Sequence, residues 1–147
     1  MPAIRFARIS LIAFAVLAAL SLSACGTSKE DKALASVCSS KADIQKQVTA
    51  LKGLTISTAS ANQVNTSITA ITDDLKNIKD QIPVLKDSVK PQVEQANNEF
   101  KSALTGIALE LGKSLSLEQG GEQATAALTQ LGTAYEQAFA SLDCPAS

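Results

Sequence analysis

Three cysteines are the most reactive side chains of this 147-residue chain, at Cys25, Cys38 and Cys144. A thiol can be acylated, can pair in a disulfide, or can ligate a metal as its thiolate. The chain contains no His, so the most common general base and metal ligand is missing. Because two thiolates without His make only half of a zinc site, we expect no metal, and acylation and disulfide formation remain.

Cys25 follows a segment that has the parts of a secretory signal peptide. Arg5 and Arg8 form a short positive region, and an apolar run of about a dozen residues extends from Ile9 to Leu20. That run is shorter than the roughly 17–25 apolar residues that a transmembrane helix needs. We therefore expect residues 1–24 to be a signal peptide that is removed on export.

The residues around the expected cleavage site resemble the lipobox of bacterial lipoproteins. The match is Leu22-Ser23-Ala24-Cys25, a branched residue and two small residues before the cysteine. The resemblance implies that the Cys25 thiol receives a diacylglycerol and that the signal is cut before this residue. It implies an exported protein that is lipid-anchored at the extracytoplasmic face of a bacterial membrane. In lipoproteins of double-membrane bacteria, an Asp directly after the lipidated cysteine favours retention at the inner membrane. This chain has Gly26 at that position, so outer-membrane sorting stays open if the host has an outer membrane.

The lipid, rather than charge, would have to hold the mature chain at the membrane. Without Arg5 and Arg8 the chain has 11 basic and 14 acidic residues, a formal charge of −3. Such a chain is not attracted by charge to anionic headgroups or to nucleic acid. Two or three acyl chains on one cysteine give lasting attachment, whereas one chain binds marginally. An ordinary secretory signal with a chance cysteine and an uncleaved signal anchor are the alternatives.

Cys38 and Cys144 remain once Cys25 is lipidated, and two cysteines allow a single intramolecular pairing. An exported protein lies in a compartment that permits disulfides. We therefore expect a Cys38–Cys144 disulfide that closes a loop of more than 100 residues. Two buried free thiols are the alternative.

The remaining polar residues do not predict catalysis. Asp73 and Asp74 are adjacent carboxylates, but neighbours on a helix point about 100° apart and are best explained as solvated surface charge. No G-x-S-x-G motif is present, and no His is available to activate a Ser or Thr. Asn97 and Asn98 lie in the middle of a predicted helix, where we expect them to be exposed. We expect neither enzymatic activity nor a cofactor.

Phe100, Tyr135 and Phe139 are the aromatic residues of the mature chain. Tyr135 and Phe139 are four residues apart, which places them on one face of a helix. Packing in the core is the simpler interpretation of all three. The alternative is that they line a pocket for a small apolar ligand inside the helical domain.

The elements that position these residues are predicted to be helices, because apolar residues recur at helical spacing. The clearest stripe has eight members that alternate in steps of four and three: Val64, Ile68, Ile71, Leu75, Ile78, Ile82, Leu85 and Val89. Such a seam is typical of helices that pack at shallow angles. We predict an all-α antiparallel up-down bundle over residues 34–147, preceded by the lipidated N-terminus and a short tether at residues 25–33.

The number of helices depends on whether residues 61–111 form one long kinked helix or two helices. Pro83 and Pro91 interrupt this stretch, but it has no Gly between them to ease a reversal. In a three-helix arrangement the levels of Cys38 and Cys144 would differ by about 20 Å at 1.5 Å per residue. A disulfide needs Cα atoms about 4.4–6.8 Å apart. We therefore favour four helices, with three as the alternative.

These patterns favour a role in the cell envelope over an activity. The mature region is weakly similar to small uncharacterised helical lipoproteins of actinobacteria, a resemblance that implies no activity. We expect a lipid-anchored helical protein with a structural or protein-interaction role, whose protein or envelope partner is unknown. The alternative is a binding module that encloses a small apolar ligand, with the three aromatic residues nearest to it.

Overall fold

The computed structural model describes residues 28–55, 60–116 and 120–144. They form four helices, α1 (Lys29–Lys52), α2 (Ser60–Gln81), α3 (Lys90–Ser114) and α4 (Gly121–Phe139), with a 3₁₀ turn at Ile82–Val84 between α2 and α3. No strand occurs within these three ranges. The predicted all-α bundle with four helices is therefore confirmed. The signal peptide and Cys25 lie outside the described residues.

The first helix begins at Lys29, within the stretch that we assigned to the tether. The Ser28 hydroxyl accepts a hydrogen bond from the Asp31 backbone N–H at 3.1 Å and so caps the helix. At the other end, the Gly53 N–H bonds to the carbonyl of Thr49. Local capping therefore sets both ends of α1.

Two prolines make α2 and α3 separate helices. Pro83 lacks the N–H that a continuing helix would need, and its ring would clash with the preceding turn. The chain accordingly leaves α2 at Gln81 through the 3₁₀ turn. Pro91 is the second residue of α3, where the missing N–H is not needed. Buried Leu85 fixes this connection to the core, so the chain reverses without a Gly.

A close backbone approach requires glycine between α3 and α4. A Cβ atom on Gly120 would collide with the backbone carbonyl of Ser114. The adjacent Gly121 has open space where a Cβ would stand. The close approach to Ser114 therefore requires glycine at Gly120 but not at Gly121.

Apolar side chains from all four helices form one continuous core. Its largest fully buried apolar members are Val37, Ile44, Leu51, Val64, Ile71, Ile78, Val93, Phe100, Leu111 and Leu131. Among the described residues, every buried apolar side chain falls between Ala33 and Leu142. Residues 26–147 therefore contain the core that this fold requires.

The helices form a four-membered ring in which each packs on two neighbours. The packing is most extensive between α1 and α2 and between α3 and α4, and sparsest between α2 and α3. The Lys86 ammonium lies 3.0 Å from the Asp31 carboxylate and joins the α2–α3 connection to the start of α1. We call this end of the bundle, which also holds the end of α4, the tether end. None of the four described helices is long and apolar enough to cross a membrane.

Candidate functional site

The structure places Cys38 and Cys144 at disulfide distance, as the sequence predicted. Cys38 lies on α1, and Cys144 follows the end of α4, with their Cα atoms 5.6 Å apart. The two residues are 106 positions apart in sequence, so the bond joins the two ends of the domain. It closes the seam between the first and last helices at the tether end.

Two hydrogen bonds lie beside the disulfide on the same seam. The Lys41 ammonium donates to the Leu142 carbonyl at 2.7 Å. The Tyr135 hydroxyl donates to the Lys41 carbonyl at 2.9 Å. Burial of this phenol raises the pKa of Tyr135 to about 12. These bonds and the disulfide tie α1 to α4 and to the segment after it, and we call this region the closed edge.

The three aromatic residues that we considered as ligand-lining lie together in the core. Phe100 makes edge contacts with Tyr135 and Phe139, both at 5.7 Å between ring centroids. Tyr135 and Phe139 are 5.1 Å apart. All three are buried, and their ring contacts are with one another. The groove described next is lined by other residues. The ligand-lining role of these three aromatic residues stays a prediction.

A groove of about 620 Å³ runs between α2 and α3, where the helices pack most sparsely. Leu75 and Leu104, both nearly fully buried, line it. Ile68, Ala108 and Leu109 provide further apolar lining. Leu109 is 64% exposed, unusually high for a leucine in this bundle. We call this region the α2–α3 groove; its volume falls in the range of roughly 300–1,000 Å³ that small-molecule sites occupy.

Three lysines line the same groove. Lys76 is paired with Asp80 on its own helix at 2.8 Å. Lys79 and Lys101 have no carboxylate within ion-pair distance among the residues that the structure describes. These two ammonium groups form a local positive site beside apolar surface, although the chain as a whole has a net charge of −1.

Asn97 is the buried polar residue of the groove. It is only 2% exposed, and its Oδ1 has no hydrogen-bond partner in the described structure. Leaving a buried acceptor unpaired costs about 1–3 kcal/mol. The expectation that Asn97 is exposed was wrong, whereas Asn98 is exposed. Asn97 is four residues after Val93 and next to Ala96, at the margin of the apolar stripe, so spacing alone does not decide between burial and exposure.

The adjacent carboxylates of α2 have different surroundings. Asp73 is exposed, as expected for surface charge, whereas Asp74 is partly buried against α1. Burial is the main cause that raises the pKa of Asp74, and the nearby carboxylate of Asp43 adds to it. In the described ranges no cluster of three or more Cys, Asp or Glu residues is arranged to hold a metal ion.

Taken with its site, the fold defines a class of protein: a disulfide-closed four-helix bundle with a lateral apolar groove. No protein-family model, no curated protein and no solved structure matches the chain. The functional argument therefore depends on the residues and their geometry.

Proposed function

We propose that the protein is a lipid-anchored component of a bacterial cell envelope that binds a partner molecule through the α2–α3 groove. The observation that carries the binding role is the groove itself, which combines an apolar lining, two unpaired lysines and a buried Asn without a partner. The packing of an apolar core does not by itself require an apolar groove, two unpaired lysines or a buried Asn without a partner. The anchor is supported by the signal and lipobox pattern at residues 1–25.

The closed edge supports export. A disulfide is stable in oxidising extracytoplasmic compartments and rare in the cytoplasm. The Cys38–Cys144 pair lies at disulfide distance and would strengthen a small domain of high helix content. This pairing leaves Cys25 as the cysteine that is available for lipidation.

The proposed anchor would hold the domain close to the bilayer. Cys25 is three residues before Ser28, where the described structure begins. Three residues reach at most about 11 Å when fully extended. The tether end would therefore face the membrane, and the connections α1–α2 and α3–α4 would lie away from it.

A purely structural or protein-binding role through a helix face is the second candidate. Exposed Leu109 favours it, because large apolar side chains on a surface often mark contacts with other proteins. Crosslinking in intact envelopes, with a photoreactive group at residue 109, tests it. A crosslinked protein of defined mass would support this candidate, and crosslinks confined to lipid would contradict it.

Replacing the proposed acylation site tests the anchor. Cys25→Ser removes the thiol that would receive the lipid, so the protein should move from the membrane to the soluble extracytoplasmic fraction and lose fatty-acid label. Cys144→Ser is the matched control, since it also removes one thiol but should leave labelling intact. Full membrane retention of Cys25→Ser with continued labelling would refute the anchor.

A further inference from the structure

We propose that the α2–α3 groove binds a single-chain amphiphile that has an anionic headgroup. This inference rests on the groove being the binding surface of the proposed function, but it does not depend on the lipid anchor. It identifies the chemical class of the partner molecule. The argument uses the direction of the two helices, the charges along the groove and the unpaired Asn.

The antiparallel helices give the groove two unlike ends. Residues late in α2 lie level with residues early in α3, because the chain reverses between them. Lys79 is therefore roughly level with Asn97 toward the tether end, and Lys101 follows about one turn farther along α3. Ile68, from the first half of α2, lies near Leu109 at the opposite end. The groove is thus polar and cationic at one end and mainly apolar at the other, where the hydroxyls of Thr72 and Thr105 donate to carbonyls of their own helices.

The dimensions fit one acyl chain. The groove extends along α2 from Lys79 to Ile68, which at 1.5 Å per residue is about 16 Å. Leu75 and Leu104 form an apolar lining along this length. A single extended chain would lie lengthwise on it, with its end against Leu109, which solvent now reaches. Covering that leucine gives the ligand its hydrophobic driving force.

Charge complementarity selects an anionic headgroup. Lys79 and Lys101 come from different helices and have no ion-pair partner in the described residues. An ammonium is a compact charge that attracts either a phosphate or a carboxylate. An anion between the two lysines would be held from both sides of the groove. Lys76 contributes less, because Asp80 already neutralises it.

Asn97 distinguishes between anionic amphiphiles. Its Oδ1 is a buried acceptor without a donor, and it lies at the cationic end of the groove. A headgroup hydroxyl is a donor that would satisfy it. We therefore expect a headgroup with both an anion and a hydroxyl, as in a lysophospholipid with a glycerol head, to bind more tightly than a simple fatty acid.

The binding experiment uses residues 26–147, exported behind a signal peptide without a lipobox, since this segment contains every buried apolar side chain of the described residues. Four probes with the same twelve-carbon chain, whose extended length is close to that of the groove, are compared by calorimetry below the concentrations at which they aggregate: 1-lauroyl lysophosphatidylglycerol, laurate, 1-lauroyl lysophosphatidylcholine and monolaurin. We expect the first to bind most tightly and laurate next. The zwitterionic and uncharged probes should bind at least about tenfold more weakly.

Matched variants assign the binding to the groove. Lys79→Gln/Lys101→Gln should weaken binding of both anionic probes at least about tenfold. Lys52→Gln/Lys113→Gln makes the same change in net charge at the opposite end of the bundle and should leave affinity unchanged. Asn97→Leu should remove the advantage of lysophosphatidylglycerol over laurate. Circular dichroism would verify that each variant is folded.

Three results would overturn the inference. Equal affinity for charged and uncharged probes would refute selection by the lysines. Binding that is equally weakened by both lysine pairs would show general charge attraction instead of a site. Co-sedimentation with vesicles of phosphatidylglycerol, without binding of any monomeric probe, would identify a membrane surface as the partner. The anchor is tested separately by Cys25→Ser, so either proposal can fail while the other stands.

Discussion

The closed edge and the α2–α3 groove lie on different sides of the bundle and differ in how their helices are held together. At the closed edge, the Cys38–Cys144 pair and the hydrogen bonds through Lys41 hold α1 against α4. At the groove, α2 and α3 are joined by a short connection but pack sparsely along their length. The comparison shows that the disulfide pair and these hydrogen bonds link the helices on one side of the bundle, while the other side keeps an open groove.

The side chains explain this difference. Buried positions of α4 are often small, at Ala124, Ala127, Gly132 and Ala138, which allows the extensive packing of α3 on α4. The facing sides of α2 and α3 instead carry longer and partly polar side chains, such as Lys79 and Lys101, that do not fill the space between the axes. Interhelical distance depends on the side chains at the contact, and the groove is the consequence.

The largest expected effect comes from charging the apolar lining of the groove. Leu75→Asp places an unpaired carboxylate at a position that is 3% exposed, so we expect a loss of about 4 kcal/mol or more in the free energy of unfolding. Urea denaturation followed by circular dichroism measures it. Leu109→Asp is the matched control and should change stability by only about 0.5 kcal/mol. A loss of stability for Leu75→Asp as small as that for Leu109→Asp would show that Leu75 is not part of the core.

Removing the disulfide should have the next largest effect. Cys38→Ser/Cys144→Ser, or reduction of the unmodified protein, should lower the free energy of unfolding by a few kcal/mol. The chain-entropy model gives about 4–5 kcal/mol as the upper value for a loop of this length. Helix content at low temperature should not change, because the core remains. Non-reducing peptide mapping of the mature protein is the direct check, and two free, alkylatable thiols would contradict the pairing.

Asn97→Leu should act in the opposite direction. It replaces an unpaired buried amide with an apolar side chain of similar size, so we expect the unliganded domain to gain about 1 kcal/mol. Thermal and urea denaturation measure the change. Asn98→Leu, at the exposed neighbouring position, is the control and should be close to neutral. A loss of stability in Asn97→Leu would show that the amide has an internal partner, which would weaken the argument for the groove.

Tyr135→Phe should produce a small loss of stability and a distinctive pH dependence. Loss of the hydrogen bond to the Lys41 carbonyl should cost about 1 kcal/mol at neutral pH. Because burial raises the pKa of Tyr135 from 10.0 to about 12, the folded state keeps this proton when the unfolded chain has lost it. Its stabilisation is present below pH 10 and is lost as the pH rises through about 12.

Comparison with the phenylalanine variant isolates this alkaline effect from the titration of lysines, which both proteins share. The difference in free energy of unfolding should shrink as the pH rises from 10 to 12. Tyr135 is the only tyrosine of the chain, so tyrosinate absorbance reports its ionisation directly. Titration of the folded protein at the ordinary tyrosine pKa would show that the hydroxyl is not buried at the closed edge.

Much of the fold follows from local patterns in the sequence. The alternating steps of four and three predict the seam of α2, and six of its eight residues lie in α2 and its 3₁₀ turn. Pro83 and Pro91 mark the break between α2 and α3, since the effect of a proline on a helix is local. The cysteine pairing follows from counting, because only one partner is left once Cys25 is assigned.

Only the tertiary structure decided where the groove lies and that Asn97 is buried in it. Asn97 lies next to Ala96 at the margin of the apolar stripe, and a small rotation of α3 determines whether such a residue faces solvent or a neighbouring helix. The aromatic residues pack together instead of lining the groove, because Phe100 of α3 meets α4 on the opposite side of its helix. The sequence by itself determined the helices, their breaks and the pairing of the cysteines, since each depends on neighbours or on counting. The width of a space between two helices depends on the rotation and separation of both, and these emerge only when all four helices pack.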